Sequence, residues 1–183
     1  MLTLATGCAR TIVPVIESSK QNSAVLSANQ GYILFAVQSD SYIEKVNIGG
    51  LRPLVYRPKS SGKLDTYILA AVPPGNYYFS SVETGRGEFD SDDEHDWDFK
   101  IKANAINYVG NLELLSRYKW CEYCFRVELS NKSSFAIEYL ESEHPQLLNQ
   151  YDLVYQGPGS DNFFEYIKGQ INTPMQTQLS DER

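Results

Sequence analysis

The sequence predicts a mainly β protein, an antiparallel β-sandwich of about seven to nine strands with a short C-terminal helical segment. Three observations lead there. Short apolar or alternating runs recur between turn residues from Thr11 to Ser130, and no window in that span carries the period of an amphipathic helix. Aromatic residues make up 13% of the 183-residue chain, with 13 Tyr and 8 Phe, a bias that favours strands. The texture changes at Asn131, where helical spacing begins.

Thr11–Glu17 is the first candidate strand. Gly31–Ser39 is nearly continuous in apolar residues, which predicts a central strand buried on both faces. Ile43–Ile48 and Leu51–Tyr56 flank Gly49-Gly50, a hairpin signal, and Pro53 places the second of these strands at an edge. Thr66–Val72 and Tyr77–Glu83 flank Pro73-Pro74-Gly75-Asn76, a turn in which Gly75 supplies the permissive backbone. Trp97, Phe99, Ile101 and Ala103 alternate with polar residues, and so do Ile106, Tyr108, Gly110, Leu112 and Leu114, with Val109 and Leu115 out of phase. The last strand covers residues 120–130, with Cys121, Tyr123, Phe125, Val127 and Leu129 on one parity.

Ser133 or Ser134 is placed to cap a helix through Glu143, with Phe135 and Tyr139, and Ile137 and Leu140, at helical spacing. Pro145 ends that helix or opens a short second one through Leu148. Tyr151–Tyr155 reads as extended or irregular. Asp161–Lys168 reads as a short amphipathic helix with Phe163, Phe164 and Ile167 apolar.

Charge narrows the function classes. Lys and Arg total 16 against 23 Asp and Glu, a net charge of −7. A nucleic-acid partner needs a basic face, and docking on anionic lipid needs a polybasic patch, so neither is expected. No apolar run approaches the ~20 residues of a membrane-spanning helix.

Cys121 and Cys124 form a Cys-x-x-Cys pair, which occurs in redox and zinc sites. Within a strand, residues three apart point to opposite faces, with Cα atoms roughly 10 Å apart, beyond disulfide reach. The expectation is a structural pair, with Cys121 buried and Cys124 on the other face.

At the start of the chain, Ala5-Thr6-Gly7 directly precedes Cys8. This resembles the end of a bacterial lipoprotein signal, in which a small-residue box is cleaved before a cysteine that is then lipidated. There is no basic n-region and no full apolar h-region before Cys8, so the segment reads as a truncated remnant. The resemblance implies lipid on Cys8 and a chain anchored to a membrane rather than spanning it. Ala9 after the cysteine implies an outer-membrane address facing the periplasm. The organisation expected is a signal remnant and tether over 1–10, a sandwich over 11–130, a helical appendage packed on it over 131–170, and a flexible tail over 171–183.

Two further segments, Val72-Pro-Pro-Gly-Asn-Tyr-Tyr-Phe79 and Phe99-Lys-Ile-Lys-Ala-Asn-Ala-Ile-Asn-Tyr-Val-Gly-Asn-Leu112, resemble a group of uncharacterised bacterial envelope lipoproteins. These carry a small prealbumin-like or immunoglobulin-like sandwich, and the likeness extends to the helix ending before His144-Pro145-Gln146-Leu147. It covers roughly residues 30–148 and transfers fold better than function. It implies no catalytic residue. Tyr108 is expected to bury its ring and to cap a backbone group with its hydroxyl at the sandwich edge.

The remaining chemistry is weighed site by site. Glu88, Asp90, Asp92, Asp93, Glu94, Asp96 and Asp98 form an acidic run. As a calcium loop starting at Asp90 it offers Asp92 and Glu94, but His95 stands where the glycine belongs and Ile101 where the closing Glu belongs. These three are weak metal candidates, and a solvated loop is the expectation. His95 and His144 are the only histidines and are expected to be exposed in loops, with a hydrolase as a remote alternative. Tyr77, Tyr78, Phe79, Trp97, Tyr118, Trp120 and Tyr123 belong mostly to packing, though exposed members suit sugar stacking or partner anchoring. No cofactor is expected. The function expected is a non-enzymatic envelope lipoprotein domain that meets an envelope protein through a sheet edge or face. A carbohydrate- or calcium-binding module is the alternative.

Overall fold

The computed structural model describes residues 13–14, 26–50, 52–58, 64–85, 87–91, 97–117 and 124–171. It is a mainly β protein in which two sheets pack face to face. The elements run β1 (Val13–Pro14), β2 (Gly31–Ser39), β3 (Ile43–Gly50), β4 (Leu54–Tyr56), β5 (Leu64–Val72), β6 (Gly75–Thr84), β7 (Gly87–Asp90), β8 (Asp98–Ile101), β9 (Ala105–Arg117) and β10 (Cys124–Ser130). There follow α1 (Ser133–Glu143), α2 (Pro145–Gln150), β11 (Asp152–Tyr155) and α3 (Phe163–Ile171). One sheet has six strands in the order β1-β4-β3-β6-β7, with β8 paired to the other half of the β6 edge. The other has five, β10-β9-β2-β5, with β11 beside β9.

Both sheets are mixed. Most pairs are antiparallel, but β2 runs parallel to β9, β11 parallel to β9 and β1 parallel to β4. Because β4 lies between β1 and β3, Pro53 precedes an interior strand and does not mark an edge. The hairpin expected around Gly49-Gly50 is present, with Ile48 of β3 paired antiparallel to Leu54 of β4, though its connection is longer than two residues. Both glycines also continue β3 and pair with Tyr78 and Tyr77 of β6.

The described residues form two cores. Ile33, Phe35 and Val37 of β2 face the six-stranded sheet and pack with Val46, Ile48, Phe79 and Phe99. Tyr32 and Leu34 of the same strand face the other way, into a second core with Leu69, Ile106, Tyr108, Leu140, Leu147 and Phe164. The helices supply that second core, so the molecule has three layers: sheet, sheet, helices. This accounts for the unbroken apolar run of β2, since a strand covered on both faces has no solvent side to make polar.

β9 changes phase in mid-strand. Ile106 and Tyr108 belong to the helix-side core, whereas Leu112 and Leu114, of the same parity, belong to the inter-sheet core. The cause is a bulge: Leu34 pairs with Tyr108 and Ala36 with Asn111, so Val109 and Gly110 together oppose Phe35. Gly110 adopts φ +111°, a backbone state that side chains disfavour, and a Cβ there would meet Leu129 Cδ1 at 3.0 Å. The turn into β9 is pinned by the buried Asn107. Its Nδ2 donates toward the carbonyls of Tyr32 (3.0 Å), Lys102 (3.0 Å) and Ala105 (3.2 Å), and its Oδ1 accepts the Lys102 N–H at 2.9 Å.

Candidate docking groove

The helical layer packs on the outer face of the five-stranded sheet and leaves a groove between its elements. In α1, Ser133, Ala136 and Leu140 point down onto the sheet, which leaves Ile137 and Glu141 on the flank facing α3. Leu148 and Asn149 of α2, Leu153 of β11, and Phe164 and Ile167 of α3 complete a cavity of about 540 Å³. Its floor is apolar. Ile137, Leu148 and Ile167 are half-buried, while Glu141, Asn149 and Asp152 stand exposed on its rim.

The walls are held by polar contacts that the sequence did not announce. Neither Ser133 nor Ser134 caps α1; Ser133 is its first residue. Asn131 Oδ1 accepts the Ser133 N–H at 3.0 Å and stands in for the cap. Asp161 joins the starts of two helices. Its Oδ2 accepts Ser133 Oγ at 2.5 Å and Asn131 Nδ2 at 2.8 Å, and its Oδ1 accepts the Phe163 N–H of α3 at 2.8 Å. Desolvation pushes the Asp161 carboxyl up, but the hydrogen bonds from Ser133, Asn131 and the Phe163 backbone outweigh it and hold the pKa below its ordinary value.

Beneath α1, the Tyr108 ring is buried, with Phe164 edge-on at 6.1 Å. Its hydroxyl donates to Asn111 Oδ1 at 2.8 Å and accepts the Lys132 N–H at 2.9 Å. Burial pushes its pKa well above that of a free tyrosine, and burial together with nearby Asp161 pushes Tyr155 up to about 12. Lys132 pairs with Glu113 at 2.9 Å and bonds Gln38 at 3.0 Å. Desolvation raises the Glu113 carboxyl, but the Ser130 and Lys132 contacts win and its pKa is lowered.

The structure separates the other candidates. Gly75 opens β6 with φ +156° directly after Pro73-Pro74. Asp90 is exposed at the end of β7, and Asp92, Glu94 and His95 lie outside the described residues. Part of the acidic run is strand rather than loop, since Glu88 and Asp90 belong to β7 and Asp98 opens β8. Among the described residues no three His, Cys, Asp or Glu side chains converge as a metal site would require. Cys8 and Cys121 lie outside the described residues; Cys124 opens β10 opposite Arg117. His144 is not exposed. It is 1% accessible between α1 and α2, with Nε2 3.3 Å from the Tyr139 hydroxyl, and Tyr139 stacks on Tyr67 at 4.7 Å. Tyr77 and Phe79 are core, Trp97 is partly buried against it, and Tyr78 is exposed; Tyr118, Trp120 and Tyr123 fall outside the described residues. Tyr151–Tyr155 supplies a parallel strand, Asp152–Tyr155, that no alternation signalled.

What the groove offers is apolar contact bordered by negative charge. From Asn131 to Lys168 the sequence holds Glu138, Glu141, Glu143, Asp152, Asp161 and Glu165 against Lys132 and Lys168, and Lys132 is already paired with Glu113. No helix among the described residues is long and apolar enough to cross a membrane. Comparison of the chain with protein-family models and with curated proteins finds no match in either.

Proposed function

We propose that this chain is a non-enzymatic protein-interaction module of the bacterial cell envelope, anchored by lipid on Cys8, and that its partner docks in the groove between α1, α2, β11 and α3. The groove's composition carries the docking reading. A preformed apolar cleft falls within the ~300–1,000 Å³ range of binding sites, and here its rim and surroundings are acidic. The occupant that complements it is a basic amphipathic helix, with a few aliphatic side chains on one face and Lys or Arg flanking them. The surface proposed is a helical groove, where the strand pattern alone suggests a sheet edge or sheet face. The Ala5-Thr6-Gly7-Cys8 run supports the membrane anchor.

Fluorescence anisotropy with a labelled Leu/Lys amphipathic peptide tests the docking. Expected is micromolar affinity that weakens as salt rises, and that falls about tenfold or more in Ile137→Asp. A peptide of the same composition with its leucines scrambled off one face should bind poorly. Equal binding of the two peptides would sink the reading. Intact mass of the protein from its own host tests the anchor: a lipid adduct on Cys8 is expected, and an unmodified Cys8 overturns it.

A further inference from the structure

A second cleft, which shares no lining residue with the helical groove, lies where the start of β6 meets β8 and the loop after β11. Its volume is about 610 Å³. The antiparallel pairing of β6 with β8 sets Tyr78 opposite Asp98 and Asn76 opposite Lys100. All four are exposed and of one parity, so they share the outward face of the six-stranded sheet.

Tyr78 is placed unusually. Its neighbour on β3 is Gly49, which has no side chain. A Cβ at Gly49 would stand 2.6 Å from both Cε1 and Cε2 of Tyr78, and nearer still to Cζ. A point equidistant from the two Cε atoms lies on the ring's mirror plane. An in-plane approach at that distance is blocked by the phenol oxygen, so the point lies over the ring face. The Tyr78 ring is therefore laid flat on the Gly49 backbone, and the residue remains 43% exposed.

A flat aromatic face with fixed orientation, bordered by an amide, a carboxylate and an ammonium, matches one ligand chemistry. The ring's negative face attracts the C–H-rich side of a sugar ring. Around it, Asn76 offers a donor and an acceptor, Asp98 acceptors and Lys100 donors, the complement of a row of hydroxyls. We infer that this cleft binds a pyranose, stacked on the outer face of Tyr78 and oriented by hydroxyl contacts to Asn76, Asp98 and Lys100. The glycine beneath the ring is part of the site. Without it the platform cannot lie flat. This site is separate from the helical groove and stands whether or not that groove docks a protein.

The test is an amide-resolved NMR titration of the full chain with soluble oligosaccharides: N-acetylglucosamine oligomers, cello-oligosaccharides and malto-oligosaccharides. Expected is a dissociation constant of roughly 0.1–5 mM for one series, with shifts centred on Asn76, Tyr78 and Lys100. Tyr78→Phe, which keeps the ring, should bind within about threefold of wild type, and Tyr78→Ala should lose about tenfold or more. Gly49→Ala, which keeps Tyr78 but lifts its ring, should lose a similar amount. Asn76→Ala, an exposed change, should weaken binding severalfold and serves if either of the others fails to fold. Co-sedimentation with insoluble cell-wall glycan separates the sources: pelleting marks a polymer binder, and oligosaccharide binding without it marks a free-sugar binder. No localised shift with any series, or an Asn76→Ala and Tyr78→Ala pair that binds as wild type, overturns the proposal.

Discussion

The hydroxyl of Tyr108 on β9 accepts the backbone N–H of Lys132 at 2.9 Å, the N–H immediately before the first turn of α1. The same hydroxyl donates to Asn111 Oδ1 at 2.8 Å, so one buried phenol fastens a helix start to the bulged strand beneath it. Tyr108→Phe keeps the ring and strips both contacts. A buried acceptor on Asn111 and the Lys132 N–H are then left without this partner, which costs about 1–3 kcal/mol. In a thermal melt the expected loss is about 2–4 °C per kcal/mol for a chain of this size. A melt unchanged within a degree would show that the hydroxyl is not a fastening.

Asp161 ties α1 to α3, and its pKa is lowered in the folded chain. The unfolded chain therefore takes up a proton at Asp161 at higher pH than the folded chain does. The stability from this carboxylate is present above its ordinary value of 3.8 and is lost as pH falls below it, through the lower folded pKa. Melts between pH 2 and pH 6 should show an acid limb that Asp161→Asn makes shallower, with the neutral-pH melting point of the variant already lowered. An identical acid limb in the variant counts against the clamp.

Gly110 carries the β9 bulge at φ +111°. Gly110→Ala forces a side chain into that backbone state and against Leu129 and the Ser130 carbonyl. The expected cost is about 1–3 kcal/mol, read as a lower urea midpoint with an unchanged slope. A neutral result would mean that the bulge relaxes and that Leu112 and Leu114 keep their face without it.

Much of the β layer was legible because burial writes a pattern. Gly31–Ser39 read as a strand covered on both faces, and β2 is that strand. What failed did so for physical reasons. Gly49-Gly50 marks the β3–β4 hairpin as its composition suggests, but composition does not show that Gly49 also makes room for the Tyr78 ring. Val109 seemed out of phase because a bulge moves every later residue of β9 to the other face, and Leu112 and Leu114 follow the shifted phase. His144 reads as a loop histidine because it stands at the junction of α1 and α2, and its burial comes from how those two helices fold onto the sheet. The groove was legible only in pieces. Ile137, Leu148 and Ile167 were visible as apolar helix positions, yet nothing local says that they meet, and Asp161 as the joint between two helices is a tertiary fact alone.

The pairing of β2 with β9 links residues 75 apart, as in the bond from Asn107 to the Tyr32 carbonyl. The outward side of that pair, Tyr32, Leu34, Ile106 and Tyr108, is covered by Ala136, Leu140, Leu147 and Phe164, which come later in the chain than everything they cover. A chain emerging from its N-terminus can therefore assemble every strand of both sheets but β11 and still show a broad greasy flank to its surroundings. Completion waits on the final elements, and until they arrive the molecule is at its most adhesive. Truncation within α3 should for that reason be felt as precipitation before it is felt as a lost activity.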